Sequence, residues 1–270
     1  MERLVDNLSK SVPKSDNEYV GQNNLTYCKT CGQATQTIIE FMGIQKKVRC
    51  ICECIKQELE ADKEKERQEE LARKKRICFA ESNMANWTFA KDDCKNPKIS
   101  AGMRRYVENF SDFKRQGKGL LLYGTVGTGK TYFAACVANA LIEEGYSVLM
   151  TNFARLTNTI QGMYEGKQEY IDSLNKYSLL IIDDLGAERK TEYMAEMVFN
   201  IIDSRYRSGL PFIVTTNLTA EELKQPQDIS FSRIYDRVLE RCFPVKVEGE
   251  SRRRQNVKDT FFDVKDMLGL

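Results

Sequence analysis

The stretch GTVGTGKT, residues 124–131, constrains the fold of this 270-residue chain more than any other feature. It matches the pattern G-x-x-x-x-G-K-[ST] at every fixed position, and it lies between a predicted buried strand and a predicted helix. Glycines let backbone N–H groups curl around a phosphate, and the following helix presents its positive N-terminal end to the same anion. The motif therefore predicts a nucleotide phosphate site between a strand and a helix.

Each residue of this loop is a candidate ATP contact. The candidates are Gly124, Thr125, Val126, Gly127, Thr128, Gly129, Lys130, Thr131 and, directly after the loop, Tyr132. We expect the Lys130 ammonium to reach the β- and γ-phosphates and the Thr131 hydroxyl to ligate Mg²⁺. A chance match in a turn is the alternative, and the flanking strand and helix patterns argue against it.

Two further predicted strands end in polar residues. The run LLIIDDL places Asp183 and Asp184 at the C-terminal end of a buried strand, where the ligands of parallel sheets bind. We expect Asp183 to hold Mg²⁺ through water and Asp184 to polarise the attacking water, whereas an acidic turn is the alternative. The run IVTTN ends at Asn217, whose amide is predicted to hydrogen-bond the γ-phosphate or that water, although Asn is also a common turn residue.

The order of the predicted elements indicates the fold class. Apolar strands alternate with helices such as TEYMAEMVFNIIDSRYRSG, for which we predict Thr191 as the N-cap and Gly209 as the end. This alternation predicts an α/β fold with a parallel sheet flanked by helices. No apolar run reaches the roughly 18 residues of a membrane span. The N-terminus lacks a signal-peptide pattern, so we expect a cytoplasmic protein without a membrane partner.

Five of the nine cysteines cluster near the N-terminus: Cys28, Cys31, Cys50, Cys52 and Cys54. Cytoplasmic thiols stay reduced, and the chain contains no histidine, so the cluster predicts an all-thiolate Zn²⁺ site. Tetrahedral Zn²⁺ takes four ligands, and the spacing leaves open which of the last three cysteines is the spare. Free or redox-active thiols are the alternative. Metal ligation would supply folding free energy that so short a segment cannot obtain from a core.

Changes in composition divide the chain into five predicted segments. We expect a poorly ordered N-terminus at 1–24, a zinc-binding module at 25–55, a charged helical linker at 56–77, a nucleotide-binding domain at 78–255 and a C-terminal tail at 256–270. The linker consists of strong helix formers with almost no apolar residues, which is typical of a solvated spacer. A helix that contacts a partner is the alternative.

Four stretches together resemble a known family. GTVGTGKT, LLIIDDLGAER, FNIIDSRYRSGLPFIVTTNL and SRIYDRVLERCFPVKVEGES occur in the order and at the spacings of the AAA+ helicase loaders of the DnaC/DnaI type, particularly their bacteriophage members. The IstB-type transposase-helper ATPases are close relatives. The resemblance implies an AAA+ P-loop ATPase that hydrolyses ATP with Mg²⁺. It also implies a role in delivering a hexameric replicative DNA helicase onto single-stranded DNA for the initiation of replication.

The resemblance assigns roles to individual residues. Asn217 takes the sensor-1 position, and SRIYDRVLER resembles the helix that supplies an arginine finger to the neighbouring subunit, with Arg237 favoured and Arg233 second. GESRRRQ resembles the family's GxSYRR element, which makes Arg253 the sensor-2-like candidate; Arg252 stands where the family has an aromatic residue. A finger supplied in trans implies a homo-oligomer in the ATP state.

Two other regions carry weaker expectations. NMANWTFAKD resembles the segment just before the family's core, so Trp87 and Phe89 are candidates for core packing, which we favour, or for adenine contact. The net charge of +2 does not select a partner, so any nucleic-acid surface must be a local patch. Arg155 and Lys167 are candidates for a single-stranded DNA channel, although they lack the interleaved aromatic residues of stacking platforms.

Three functions remain open on the sequence. The first is a helicase loader whose N-terminal module binds the helicase. The second is a transposition helper acting on DNA, which generally lacks such a zinc module, so the cysteines favour the loader. The third is a non-catalytic adaptor switched by ATP, which the intact set of predicted catalytic residues argues against.

Overall fold

The computed structural model describes residues 16–41, 43–80, 82–186, 191–226, 229–252, 265 and 267–268. The chain divides into two compact units, Met1–Glu70 and Leu71–Leu270. The division falls inside α1 (Glu53–Phe79), a 27-residue helix over the stretch predicted as a charged linker. Its buried residues, Cys78 and Phe79, lie at its C-terminal end.

The first unit contains two antiparallel hairpins. Strand β1 (Glu18–Val20) pairs with β2 (Thr26–Cys28), and β3 (Gln36–Phe41) pairs with β4 (Ile44–Arg49). Residues 16–24, which we expected to be poorly ordered, include β1, because β2 supplies a complete hydrogen-bonding partner for this short strand. Residues 1–15 lie outside the described part of the chain.

The second unit is built on a five-stranded sheet in which every described pairing is parallel. Its strands are β5 (Gly119–Tyr123), β6 (Val148–Asn152), β7 (Leu179–Leu185), β8 (Phe212–Thr216) and β9 (Cys242–Lys246). They lie in the order β6-β7-β8-β5-β9, so β8 separates the two strands that carry the phosphate loop and the paired acids. This arrangement confirms the predicted α/β class.

Helices flank the sheet. They are α2 (Pro97–Glu108), α3 (Phe110–Gln116), α4 (Lys130–Glu143), α5 (Phe153–Gln161), α6 (Lys167–Ser173), α7 (Glu192–Arg207), α8 (Ala220–Lys224) and α9 (Ile229–Arg241). Neighbouring residues of β7 alternate between two buried clusters: Leu180 and Ile182 pack with α5, α7 and α9, whereas Leu179 and Ile181 pack with α2 and α4. Because both faces are covered, the strands are continuous apolar runs.

Local signals at helix ends are confirmed in α7. The Thr191 hydroxyl accepts a hydrogen bond from the Met194 N–H at 3.3 Å, and Gly209 ends the segment with φ of +67°. The sequence analysis missed β9, whose segment contains Pro244. Among the described strands, β9 pairs with β5 alone, and an edge strand tolerates a proline because its outer side needs no N–H. Among the described helices, none combines the length and apolarity needed to cross a bilayer.

Among the described residues, Arg205 is the largest side chain with less than 2% of its surface exposed, at 1%. Its guanidinium donates to four backbone carbonyls, with distances of 2.8 Å to Pro211, 2.9 Å to Tyr177, 3.2 Å to Ser178 and 3.5 Å to Leu174. Burial lowers the pKa of this guanidinium to about 10, so it stays charged at neutral pH. The planar guanidinium thus hydrogen-bonds carbonyls of two connecting segments, the one that precedes β7 and the one that precedes β8.

We expect Arg205→Met to destabilise the second unit by about 3 kcal/mol or more, because it leaves several buried carbonyls without donors. Urea unfolding followed by the fluorescence of Trp87, the single tryptophan of the chain, measures this unit directly. Arg207→Met is the matched control on the same helix, since the Arg207 side chain is 76% exposed. An unchanged unfolding midpoint for Arg205→Met would contradict the structural role.

Candidate nucleotide site and cysteine cluster

The loop between β5 and α4 requires glycine at two places for steric reasons. Gly124 has φ of +144°, and a Cβ there would lie 2.4 Å from the Val247 carbonyl oxygen. Gly127 has φ of +87°, and a Cβ there would lie 2.2 Å from the Ser251 Oγ. The segment that follows β9 therefore packs directly against the phosphate loop, and this is the segment that contains the GESRRRQ stretch.

Lys130 is buried at 4% exposure at the first position of α4. Its Nζ donates to the carbonyl oxygens of Gly124 and Thr125, each at 2.8 Å, so the loop curls around the ammonium group. The neighbouring Thr131 hydroxyl donates to Asp183 Oδ1 at 3.0 Å. The two predicted halves of the site, the loop and the first acid, are thus joined directly.

A β-bulge positions the paired acids. In the β7–β8 ladder, Ile182 faces Val214 and Leu185 faces Thr216, so the two acids between them oppose one residue, Thr215. The buried Thr215 hydroxyl donates to Asp183 Oδ1 at 2.6 Å and accepts from the Asp184 N–H at 2.9 Å. One hydroxyl therefore holds both the Asp183 carboxylate and the Asp184 backbone.

Sequence reasoning missed Thr215. The available signal was a hydroxyl residue inside an otherwise apolar strand, because a buried hydroxyl needs hydrogen-bonding partners. No feature of the sequence predicted the bulge. In the structure Asp184 has φ of +57°, a conformation that Asp and Asn tolerate better than most residues.

The environment of Asp183 is suited to a divalent cation. Burial, together with the charge of Asp184, raises the pKa of the Asp183 carboxyl above its usual range. A cation beside the Thr131 hydroxyl and this carboxylate would favour the ionised form, and hydroxyl and carboxylate oxygens are the ligands that Mg²⁺ takes in such sites. The residues present therefore fit the predicted magnesium site.

A cavity of ≈ 500 Å³ opens over the loop. Asp184 and Asn217 line it together with Lys130 and Thr131, and the Asn217 amide nitrogen donates to Asp184 Oδ1 at 3.4 Å. Both side chains are exposed to the cavity, in contrast to the half-buried Asp183. The structure thus brings the predicted loop, acid and amide residues into one place.

We expect Thr215→Val to lower the rate of ATP hydrolysis by about 10-fold or more, because the isosteric change removes the hydroxyl that holds the Asp183 carboxylate and the Asp184 backbone. Hydrolysis is measured as phosphate release at saturating Mg²⁺–ATP. Thr159→Val is the control, since the hydroxyl of the half-buried Thr159 donates to the backbone of its own helix, at 2.9 Å to the Arg155 carbonyl. Equal rates for Thr215→Val and the wild type would show that the bulge needs no such hydroxyl.

The segment before α2 forms the far wall of the cavity. Trp87 lines it, and its ring lies 5.8 Å from that of Tyr132. The Trp87 carbonyl accepts from the Asn139 amide at 2.9 Å, which fixes this wall to α4. Phe89 instead lies beneath the Arg104 guanidinium, 4.7 Å from its ring centroid, and is not among the lining residues.

Neither predicted finger arginine lines the cavity of its own chain. On α9, Arg237 forms an ion pair with Asp203 at 2.8 Å, and its guanidinium lies 4.4 Å above the ring of Phe199. Arg233, one turn earlier, is exposed. The sensor-2-like candidate Arg253 lies outside the described residues, whereas its neighbour Arg252 does line the cavity.

A comparison with known families identifies the core. Residues 34–260 match the model of the family described as IstB-like ATP binding protein. This chain belongs to the IstB-like ATP-binding family. The match covers the loop, the paired acids and the amide strand, so the likeness to AAA+ loaders and their IstB relatives is confirmed at the level of the family.

Among the relatives of this IstB-like chain, the replicative helicase loader DnaI of Bacillus subtilis is 28% identical over 191 residues, which are 65% of this chain and 61% of DnaI. An insertion-sequence ATP-binding protein of Sinorhizobium fredii is 28% identical over 170 residues, 60% of this chain and 56% of that protein. The chain therefore spans less than two thirds of either relative. A crystal structure of DnaI matches 67% of this chain with a TM-score of 0.54 and 26% identity, and 99% of that structure is covered.

The cysteine cluster of this IstB-like chain lies in the first unit. The sulfur atoms of Cys28, Cys31, Cys52 and Cys54 lie within 4.8 Å of one another. The fifth candidate, Cys50, points elsewhere and donates to the Ala34 carbonyl at 3.2 Å. The sequence left three sets of four thiols open, one for each possible spare cysteine, and the structure assembles the set without Cys50.

The chemistry of this four-thiol set fits Zn²⁺. Four sulfurs about 2.3 Å from a tetrahedral ion lie about 3.8 Å from one another, which is compatible with four sulfurs that all lie within 4.8 Å of one another. Backbone N–H groups of Cys31 and Thr30 lower the pKa of Cys28 to about 7, which favours the thiolate that metals bind. Burial raises the pKa of Cys52, and a bound cation would reverse that shift.

The candidate DNA residues stay a prediction. Arg155 and Lys167 are exposed at the starts of α5 and α6. Of the nearby aromatic residues, Phe153 is in the core and Tyr164 is fully exposed. Tyr164 thus places an exposed aromatic ring close in the sequence to these two cations.

Proposed function

We propose that this protein is an ATP-dependent loader. Its N-terminal module binds a hexameric replicative DNA helicase, and its AAA+ domain couples ATP binding and hydrolysis to placing that helicase on single-stranded DNA in the cytoplasm of a bacterial cell. The observation that carries the proposal is the four-thiol module in the same chain as a P-loop whose cavity is also lined by Asp184 and Asn217. The likeness to the DnaI loader of Bacillus subtilis supports it.

In the proposed reaction, the phosphate loop and Lys130 bind the triphosphate of ATP. Mg²⁺, when bound beside Thr131 and Asp183, neutralises charge on the phosphates. Asp184 accepts a proton from the attacking water, and Asn217 orients that water or the γ-phosphate, since their polar atoms lie 3.4 Å apart at the cavity. An aspartate reaches less far than a glutamate, which supports slow, switch-like hydrolysis.

The finger role is better suited to Arg233 than to Arg237, the residue that the resemblance favoured. The ion pair of Arg237 with Asp203 and its stacking on Phe199 already use its charge and its flat face. The exposed Arg233 side chain lies on the same helix and is accessible to a neighbouring subunit. We therefore propose a homo-oligomer in the ATP state in which Arg233 reaches the nucleotide of the adjacent copy.

A loading assay tests the proposal. The full chain is mixed with a bacterial replicative helicase and a closed single-stranded DNA circle that carries an annealed oligonucleotide. We expect ATP-dependent displacement of the oligonucleotide to increase about 10-fold with the loader present, because a closed circle offers no end for threading. Cys50→Ser should retain this stimulation and Cys52→Ser should lose it, because Cys52 belongs to the four-thiol set and Cys50 does not.

A transposition helper is the second candidate, since the Sinorhizobium fredii relative is an insertion-sequence protein. The same preparation is assayed for stimulation of strand transfer by an insertion-sequence transposase. Stimulated transfer without any effect on helicases of several bacterial groups would replace the loader proposal with the helper.

A further inference from the structure

The segment after β9 returns to the phosphate loop and brings a cation with it. The Val247 N–H donates to the Tyr123 carbonyl at 2.8 Å, and the Arg252 N–H donates to the Gly127 carbonyl at 3.0 Å. A Cβ at Gly129 would lie 3.2 Å from the Arg252 Cζ, so the guanidinium sits against the loop at the first turn of α4. Arg252 is thus held at the wall of the nucleotide cavity by its own backbone.

The guanidinium of Arg252 is restrained there by one acid. Its Nη2 lies 2.9 Å from Asp93 Oδ1, and its Cζ lies 5.7 Å from the ring of Tyr132. Nη2 is buried, yet its N–H groups are not aligned with this oxygen or with any other acceptor among the described residues. The contact is therefore an ion pair with unused hydrogen-bonding capacity, and such capacity in a buried donor is costly.

The charges of the cavity favour a polyanion over this single carboxylate. Among its lining residues, the cations Lys91, Lys95, Lys130 and Arg252 outnumber the acids Asp93 and Asp184. A phosphate group offers a guanidinium two parallel charge-assisted hydrogen bonds, which the misaligned Asp93 contact does not provide.

We propose that Arg252 is a phosphate ligand of the bound nucleotide and that Asp93 competes with the nucleotide for it. The aromatic residue found at this position of the GxSYRR element has no cationic group that could bind a phosphate or pair with Asp93. The competition between Asp93 and the nucleotide is therefore a property of this chain. The affinity for the nucleotide then depends on the difference between two interaction free energies, that of the Arg252 guanidinium with a phosphate and that with Asp93. The inference rests on nucleotide binding at the site described above.

A double-mutant cycle on the full chain tests the competition, with a fluorescent ATP analogue as the probe. Asp93→Asn is expected to tighten binding by about 3- to 10-fold, because it removes the competitor, and Arg252→Ala to weaken it by about 10-fold or more. In the Arg252→Ala background, Asp93→Asn should have no further effect. Arg252→Lys should recover part of the affinity, since it keeps the charge without the fork.

Two control variants distinguish a failure of this inference from a failure of the proposed function. Lys130→Ala should abolish binding by removing the loop ammonium, and Asp112→Asn should leave it unchanged, because the Asp112 pair with Arg115 is exposed and lies outside the cavity lining. Additive effects of Asp93→Asn and Arg252→Ala, or weaker binding by Asp93→Asn, would overturn the competition alone. A wild-type chain that binds no nucleotide would overturn both the competition and the ATPase proposal.

Discussion

Asp184→Asn is expected to reduce ATP hydrolysis by about 100-fold or more while nucleotide affinity stays within about threefold of the wild type. The carboxylate is exposed at the cavity beside the Asn217 amide, and it is the acid that Mg²⁺ binding leaves free to accept a proton. Asparagine has the same shape and tolerates the φ of +57° at this position, so the bulge is retained. Phosphate release and binding of a fluorescent ATP analogue measure the two quantities separately.

The outcome also distinguishes the enzyme from an adaptor switched by ATP. Asp112→Asn is the matched control, an exposed carboxamide substitution in the same unit. Hydrolysis by Asp184→Asn at the wild-type rate would remove Asp184 from the mechanism. Absence of hydrolysis by the wild type, with single-stranded DNA and helicase present, would favour the adaptor.

Cys52→Ser is expected to remove bound Zn²⁺ from the chain and to unfold the first unit, whereas Cys50→Ser keeps both. The sulfur of Cys52 lies in the four-thiol set, and that of Cys50 is hydrogen-bonded to a backbone carbonyl. Structural Zn²⁺ sites contribute on the order of 10 kcal/mol to folding. The hairpins of this unit are too short to replace that contribution with an apolar core.

Metal content of the purified full chain, determined by elemental analysis, measures the first effect. Limited proteolysis, read at sites between residues 16 and 52, measures the second. A wild-type chain without zinc, or loss of zinc from Cys50→Ser together with its retention in Cys52→Ser, would show that the thiols serve another purpose.

Much of the second unit could be predicted from the sequence because its signals are local. A P-loop is recognised from a few consecutive residues. Strand β7 is a continuous apolar run because both of its faces are covered, and such a run predicts a buried strand. The Thr191 cap and the Gly209 end follow from backbone rules of the same short range.

The remainder depends on segments far apart in the sequence. At the bulge, the Asp183 carboxylate is held by a hydroxyl on another strand, that of Thr215, which lies 32 positions away in the sequence. Arg252 reaches the loop only because β9 returns the chain to the edge of the sheet beside β5. In the sequence, Arg205 does not differ from any other arginine of an amphipathic helix. Only the structure shows that its buried guanidinium donates to four backbone carbonyls.

The sequence by itself determined the chemistry available to this protein: a phosphate loop, paired acids, an amide and a group of thiols. Only the tertiary structure decided which members of each group meet. It excluded Cys50 from the thiol set, it tied Arg237 to Asp203, and it placed Arg252 against the phosphate loop. The physical reason is that motifs report short-range backbone geometry, whereas the choice of partner is made by packing between elements distant in the chain.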